Sequence, residues 1–423
     1  MAIELSDITF TEQDDIVPAS GVEEIVNTGI ANTLAGNDTI TSINIGFTIV
    51  SYPFYTIGTT GFYNIGTLNT SDGNDIITGI HDPNEPPSSN VSNIRSYGLF
   101  NEAGSIDTGE DNDIITGISK LNKRNSGGIY NTVRADGIAN SNGSTINTGD
   151  GNDTIIGTSE DIGISNDYST IDTGKGNDII IGTGRIGILN FYSTINTGDG
   201  NDIITGTADE LHGNGITNYE RMNTGDGNDT ITATTNFGDG FVNYENGTID
   251  TGDGNDMITG IGAANGFFSY GTLNTGSGED SIITQGTFTN RGGVFLGDGN
   301  DSIIAERNFS NAFENYNFIE TGDGNDIITS IGVFYNEGII NTGNGDDSII
   351  VDGGVNGTDM GYGILYNNGG AINMGDGNDS IIANEGFESG PNSSGAWFLG
   401  DGEDYIKGFG SGDFYGGNGN DTL

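Results

Sequence analysis

The sequence predicts an all-β fold: a right-handed parallel β-helix or β-solenoid of about 15 rungs. Three observations lead there. One stretch, typified by Ile195-Asn196-Thr197-Gly198-Asp199-Gly200-Asn201-Asp202-Ile203-Ile204-Thr205-Gly206, recurs in fifteen versions. The residues flanking it alternate apolar and polar with a period of two, as strands do. Its spacing of roughly 20 to 40 residues belongs to solenoids, propellers and arrays.

Residues 1–30 lack the repeat and are expected to form an N-terminal cap or interaction segment. Ile3, Leu5, Ile8 and Phe10 suggest a short strand, and Pro18 breaks the segment. The solenoid is expected over residues 31–423. Numbered by the last Asp of the turn, the copies fall at Asp38, Asp75, Asp113, Asp153, Asp178, Asp202, Asp229, Asp256, Asp280, Asp301, Asp326, Asp347, Asp379, Asp404 and Asp421. The first three intervals are 37, 38 and 40 residues, and most later ones lie between 21 and 27. A fixed motif with variable spacers reads as constant rungs carrying loops of different length. The longest insertions, Ser42 to Tyr63, His81 to Tyr97 and Lys120 to Asp136, each follow the apolar strand after the Asp. They should leave the solenoid at one corner.

Aligning the copies separates inward from outward columns. Two residues after the Asp every copy is aliphatic, from Ile40 to Leu423. One residue after it the occupant varies among Thr, Ser, Ile, Met and Tyr. Seven before it the column is apolar, and five before it Thr alternates with Leu296, Met374 and Leu399, which marks that column as inward or half-buried. A further strand ends in Asn at Asn64, Asn140, Asn166, Asn190, Asn218, Asn243, Asn336 and Asn367. Stacked, these amides predict a ladder.

The turn carries the chemistry. Gly stands two before the Asp in fourteen of fifteen copies and four before it in thirteen. Such positions need backbone angles open to Gly, or close backbone approach. Exposed carbonyls with a carboxylate at fixed spacing suit a hard, oxygen-seeking cation, and calcium takes 6 to 8 oxygens in flexible geometry.

Thr197-Gly198-Asp199-Gly200-Asn201-Asp202-Ile203-Ile204-Thr205 resembles the nonapeptide of the repeats-in-toxin (RTX) family, Gly-Gly-x-Gly-x-Asp-x-aliphatic-x, with Thr in place of the first Gly. Gly416-Gly417-Asn418-Gly419-Asn420-Asp421-Thr422-Leu423 matches as far as it runs. The resemblance covers roughly residues 31 to 423 and implies an RTX-like β-roll variant. It implies that calcium ions sit between successive turns, held by the fifteen Asp residues named above and by turn carbonyls, among them those of Gly151, Gly200, Gly227, Gly254, Gly299, Gly324 and Gly377. A family rung usually holds two nonapeptides. Each repeat here has one, so one row of Ca2+, up to about 14 ions for fourteen gaps, is the expectation. Glu110-Asp111, Lys175, Ser277-Gly278-Glu279 and Ala35 depart from the pattern, and Lys175 should point outward. The Asp three before the last one, as in Asp150, Asp199 and Asp226, reads as a solvated acidic ridge, with direct metal ligation or lattice bridging through external calcium as the alternative.

Composition bounds the partners. Eleven Lys plus Arg against 60 Asp plus Glu give a formal charge of -49, which excludes nucleic acid and anionic membranes. Such a chain repels itself without counter-ions. About fourteen divalent ions would leave roughly -21. Cysteine is absent, and zinc would have only His81 and His212, far apart in sequence. The N-terminus is not a Sec signal peptide, and no apolar run approaches a membrane span.

The function expected is a secreted calcium-binding β-solenoid with a structural role: surface layer, matrix or self-assembling filament, outside the cell or on its surface. Its partners would be calcium, further copies joined head to tail and cell-surface polysaccharide. The chain ends inside a repeat at Leu423, with no distinct tail, and the open strand edge there motivates the head-to-tail contact. No enzyme is expected. One alternative is a β-helix enzyme on acidic polysaccharide, using His81, Asp82, Arg95, Lys120, Lys123, Arg124 or Arg134. Another is ice or mineral binding by a flat Thr/Asn face, which the outward Asn152, Asn201 and Asn228 would fit. Tyr63, Phe191, Tyr192, Phe267, Phe268, Phe313 and Tyr316 read as stacked aromatics inside the solenoid or at its corners rather than sugar platforms.

Overall fold

The computed structural model describes residues 2–20, 24–45, 50–51, 56–83, 94–120, 134–209, 213–353, 363–388, 395–410 and 412–422. The chain divides into two compact units, Met1–Thr224 and Gly225–Leu423. Each is a right-handed parallel β-solenoid. A rung of the first unit shows the plan: Ile179–Gly184 follows Asp178, Ile186–Phe191 follows a sharp bend, and Thr194–Asn196 leads into the next turn. Each of the three strands pairs in parallel with its counterpart one rung on. Among the described ladders only Val50–Ser51 against Thr56–Ile57 is antiparallel.

Strands this short cannot hold together alone. Stacking satisfies their backbone groups rung by rung and buries one apolar face of each strand. The aliphatic column after the Asp is interior: Ile77, Ile115, Ile155, Ile180 and Ile204 are buried, as are Ile106, Ile146, Ile171 and Ile195 before the turn. The Thr column five before the Asp is buried as well, from Thr33 to Thr342. In the second unit the strand ending in Asn contributes a column of rings. Phe241, Phe267, Phe288, Phe313 and Phe334 follow one another at centroid separations of 5.4, 5.5, 5.1 and 4.3 Å. Phe267 and Phe313 are therefore core residues. Tyr168 and Tyr192 instead stack at an exposed corner of the first unit, 5.4 Å apart.

The Asn ladder is present. Asn64, Asn101, Asn140, Asn166 and Asn190 are fully buried. Each donates its amide to the Oδ1 of the next Asn at 2.7 to 3.0 Å, ending on Asn218. The second unit repeats the chain from Asn290 through Asn315 and Asn336 to Asn367, at 2.9 Å throughout.

The ladders begin upstream of the first counted copy. Ile16–Ser20 pairs with Thr39–Asn44, and Ala2–Glu4 pairs with Glu24–Asn27. Asn27 donates to Asn64 at 2.8 Å. Asp15 closes a glycine-free turn, Thr11-Glu12-Gln13-Asp14-Asp15, at the place where the repeat Asp stands. Asn44, His81 and Ser119 end successive strands in one column, so the three long insertions do depart from one place. Most of their residues, Lys123 and Arg124 included, lie outside the described residues, as does His212.

Candidate metal centre

The turn is shaped by its glycines. Gly198 and Gly200 have φ of 84° and 155°. A Cβ on Gly200 would stand 1.6 Å from the carbonyl oxygen of Gly176, and one on Gly198 equally close to that of Gly174. Each glycine carbonyl thus points along the stack at the glycine of the next rung, with no room for a side chain between them. The rung-to-rung hydrogen bond runs beside them, from the N–H two before the Asp to the carbonyl three before the next Asp, as Gly176 to Asp199 at 2.9 Å. Where the sequence lacks Gly, the fold still imposes positive φ: Leu34 at 70°, Ser71 at 64° and Asp111 at 81°.

The last Asp of each turn is interior. From Asp38 to Asp404 every one is at most 2 % exposed. One carboxylate oxygen has a clear task. In the first unit, Oδ1 of Asp38, Asp75, Asp113, Asp153, Asp178 and Asp202 accepts the N–H of the preceding Asp at 2.7 to 2.8 Å, starting from Asp15. The second unit does the same from Asp229 onward at 2.8 to 2.9 Å, with a looser 3.3 Å contact between Asp404 and Asp421. The column is therefore structural before any metal is considered, a role the sequence reading did not assign.

The other oxygen is different. Oδ2 of Asp301, Asp379 and Asp404, whose turns carry Leu296, Met374 and Leu399 in place of the Thr, is buried without a hydrogen-bond partner. In the turns that keep the Thr, its hydroxyl stands by the carboxyl, as Thr70 does by Asp75. Oδ2 of Asp178 and Asp326 accepts from Thr173 and Thr321, the Thr of the same turn. Burial pushes these carboxyls up: Asp75, Asp153, Asp202, Asp256, Asp301 and Asp379 to about 7, Asp113 to about 8 and Asp178 and Asp347 to about 6. A column of desolvated carboxylates is costly unless protons or cations neutralise it. Among the described residues no group of three or more His, Asp or Glu side chains is placed to hold a metal ion. A cation between two rungs would therefore meet two carboxylates, and carbonyls, hydroxyls or water would complete its shell. Buried carboxylates following glycine-rich turns supply the hard oxygen donors that such a cation takes.

Outside that column lies a second, exposed ladder. Oδ1 of the Asn one before the Asp accepts the N–H of the same position one rung later, as Asn152 to Asn177 at 2.8 Å and Asn177 to Asn201 at 2.7 Å. The Asp three before the last is solvated, and Lys175 points outward, 67 % exposed and 3.5 Å from Asp199.

Of the basic candidates, Arg95 and Arg134 are cross-strand partners that both act on Tyr97 and Asp136, while His81 and Lys120 have partners of their own. His81 is buried and bonds Ser96, which contacts Ser119 at 2.9 Å. Lys120 pairs with Asp82 at 2.9 Å on the surface. Arg134 is held by buried Asp136 at 2.8 Å and by Ser165 at 2.6 Å. Among the described residues no helix is long and apolar enough to cross a membrane.

No protein-family model and no curated protein matches the chain. Among solved structures, the chain is similar to a hyperactive, Ca2+-dependent, β-helical antifreeze protein from an Antarctic bacterium, at 20% identity and a TM-score of 0.45. The match covers 90% of this chain and 82% of that one.

Proposed function

We propose that this protein is an extracellular calcium-binding β-solenoid with a structural role, an RTX-like array whose folded state is completed by Ca2+. The observation that carries this is the unbroken column of buried carboxylates in each unit, with an unpartnered Oδ2 at Asp301, Asp379 and Asp404. In a chain of net charge -49, such a column is a standing electrostatic cost that divalent cations remove. The ligands would be the repeat Asp carboxylates together with glycine carbonyls such as those of Gly151, Gly200, Gly254 and Gly324. Calcium suits this donor set better than magnesium, which demands a tight octahedron and keeps its waters. Sites of this kind outside cells bind at about 10⁻⁴ to 10⁻³ M. Residues 1–30 act as the cap of the array.

Asp301→Asn tests the reading because it separates the two oxygens. The amide oxygen still accepts the Asp280 N–H, but the charge and the free Oδ2 are gone. In chelator the variant melts at or above the wild-type temperature, because a buried charge has been removed. At millimolar calcium it melts several degrees below wild type. A loss of equal size in both conditions, or a wild-type melt indifferent to calcium, defeats the proposal.

A further inference from the structure

Six strands of the first unit, Thr39–Asn44, Ile76–His81, Ile114–Ser119, Thr154–Ser159, Ile179–Gly184 and Ile203–Ala208, pair in parallel without a slip. Their second, fourth and sixth residues are buried, so the first, third and fifth face outward. Six strands with three such positions make eighteen outward residues, and they are nine Thr and nine Ile. Ile114, Thr116 and Ile118 stand beside Thr154, Ile156 and Thr158, for example. No charge, glycine or aromatic ring interrupts the array, in a protein of net charge -49.

The fold does not demand this. In the second unit the first and third outward positions mostly keep Thr, Ile, Ser or Met, as at Thr230, Thr232, Met257 and Thr259, but the fifth carries Gln285, Glu306 and Asp352, and the strands form all the same. Preference of β-branched residues for strands therefore does not account for the fifth outward column. The face measures about 13 Å along the strands and about 24 Å across them, on the order of 300 Å². That is the size of patch that usually has a function.

We propose that this face binds ice. Its side chains form a grid that repeats about every 4.8 Å from rung to rung and about every 6.7 Å along a strand. A ligand that matches a flat grid in two directions is a crystal plane. A protein partner would be anchored by protruding Trp, Tyr or Arg in pockets, and the array has neither. An ionic mineral would be met by charges, and the array has none. Thr hydroxyls hydrogen-bond to lattice waters, while Thr and Ile methyl groups hold the waters between them in ordered cages. The proposal goes beyond the structural reading above. It places the contact on the sheet and not on the turn ladder of Asn152 and Asn201.

The test is partition of the calcium-loaded full chain into a slowly growing ice front, with circular dichroism as the check on folding. The wild type is enriched in the ice. Thr116→Lys, at the centre of the array, lowers enrichment at least tenfold. Asn152→Lys, on the turn, leaves it unchanged. If Thr116→Lys does not give the native spectrum, Thr158→Tyr takes its place with the same expectation. Exclusion of the wild type from ice overturns the proposal, as does a natively folded face variant that partitions like wild type. A calcium-loaded dimer that Thr116→Lys dissociates in sedimentation would assign the face to a second copy and overturn it too. Failure here leaves the calcium-dependent melt untouched, so the two readings fall separately.

Discussion

Asp111 occupies a turn position that glycine holds in fourteen of fifteen copies, and it does so at φ 81°. A non-glycine residue pays about 1 kcal/mol or more there. Asp111→Gly should therefore raise stability by about 1 kcal/mol in urea unfolding, provided calcium is held constant. The carboxyls of the buried column have their own pH signature. Their folded pKa values lie above the unfolded value of 3.8, at about 6 to 8. Between roughly pH 4 and pH 8 the native state then holds more protons than the unfolded chain, so metal-free stability falls as pH rises. Melting temperatures in chelator should drop steadily from pH 4.5 to pH 8. Calcium binds the deprotonated form, so the rise in melting temperature that it causes should be larger at pH 8 than at pH 5.

Along an element, the unit of stability is the column rather than the strand. Asn166 donates to Asn190 at 3.0 Å and to the Thr194 carbonyl at 2.8 Å, and accepts from Asn140. Asn166→Leu strands buried partners on both sides and should cost about 3 kcal/mol in thermal or urea melts. Asn27→Leu, at the start of the ladder, should cost about 1 kcal/mol because its one ladder bond is to Asn64. Columns were also what the sequence made legible. The inward aliphatic positions, the buried Thr column and the Asn ladder each keep one kind of residue in most copies, so aligning the fifteen exposes them. Asp15 escaped because Gln13 and Asp14 replace the turn residues that mark a copy. The outward Thr and Ile array escaped because its first column, read alone, is a mixture of Thr, Ser, Ile, Met and Tyr. Its regularity appears only when three outward positions per strand are taken together. The structural use of Asp Oδ1 escaped for another reason: a repeated carboxylate in a glycine turn has the same sequence whether it binds a cation, a backbone N–H or both.

For the whole molecule, charge is the dominant fact. Only 11 basic residues oppose 60 acidic ones, and many of those acids sit in the turns at one-rung spacing. Among the described basic side chains, His81, Lys120 and Arg134 are engaged by Ser96, Asp82 and Asp136. The two turn ladders also run in opposite senses. The Asp153 N–H is completed by the following rung, through Asp178, whereas the Asn177 N–H is completed by the preceding one, through Asn152. Every interior rung thus presents one of these donors and one of these acceptors on each side, in the same arrangement. Length is therefore a free variable of this design. Excising residues 154–178 would bring Asp153 to Ile179 with each ladder meeting an equivalent partner, and duplicating them would do the same. Such a gene can gain or lose whole rungs by unequal recombination while its protein keeps one architecture.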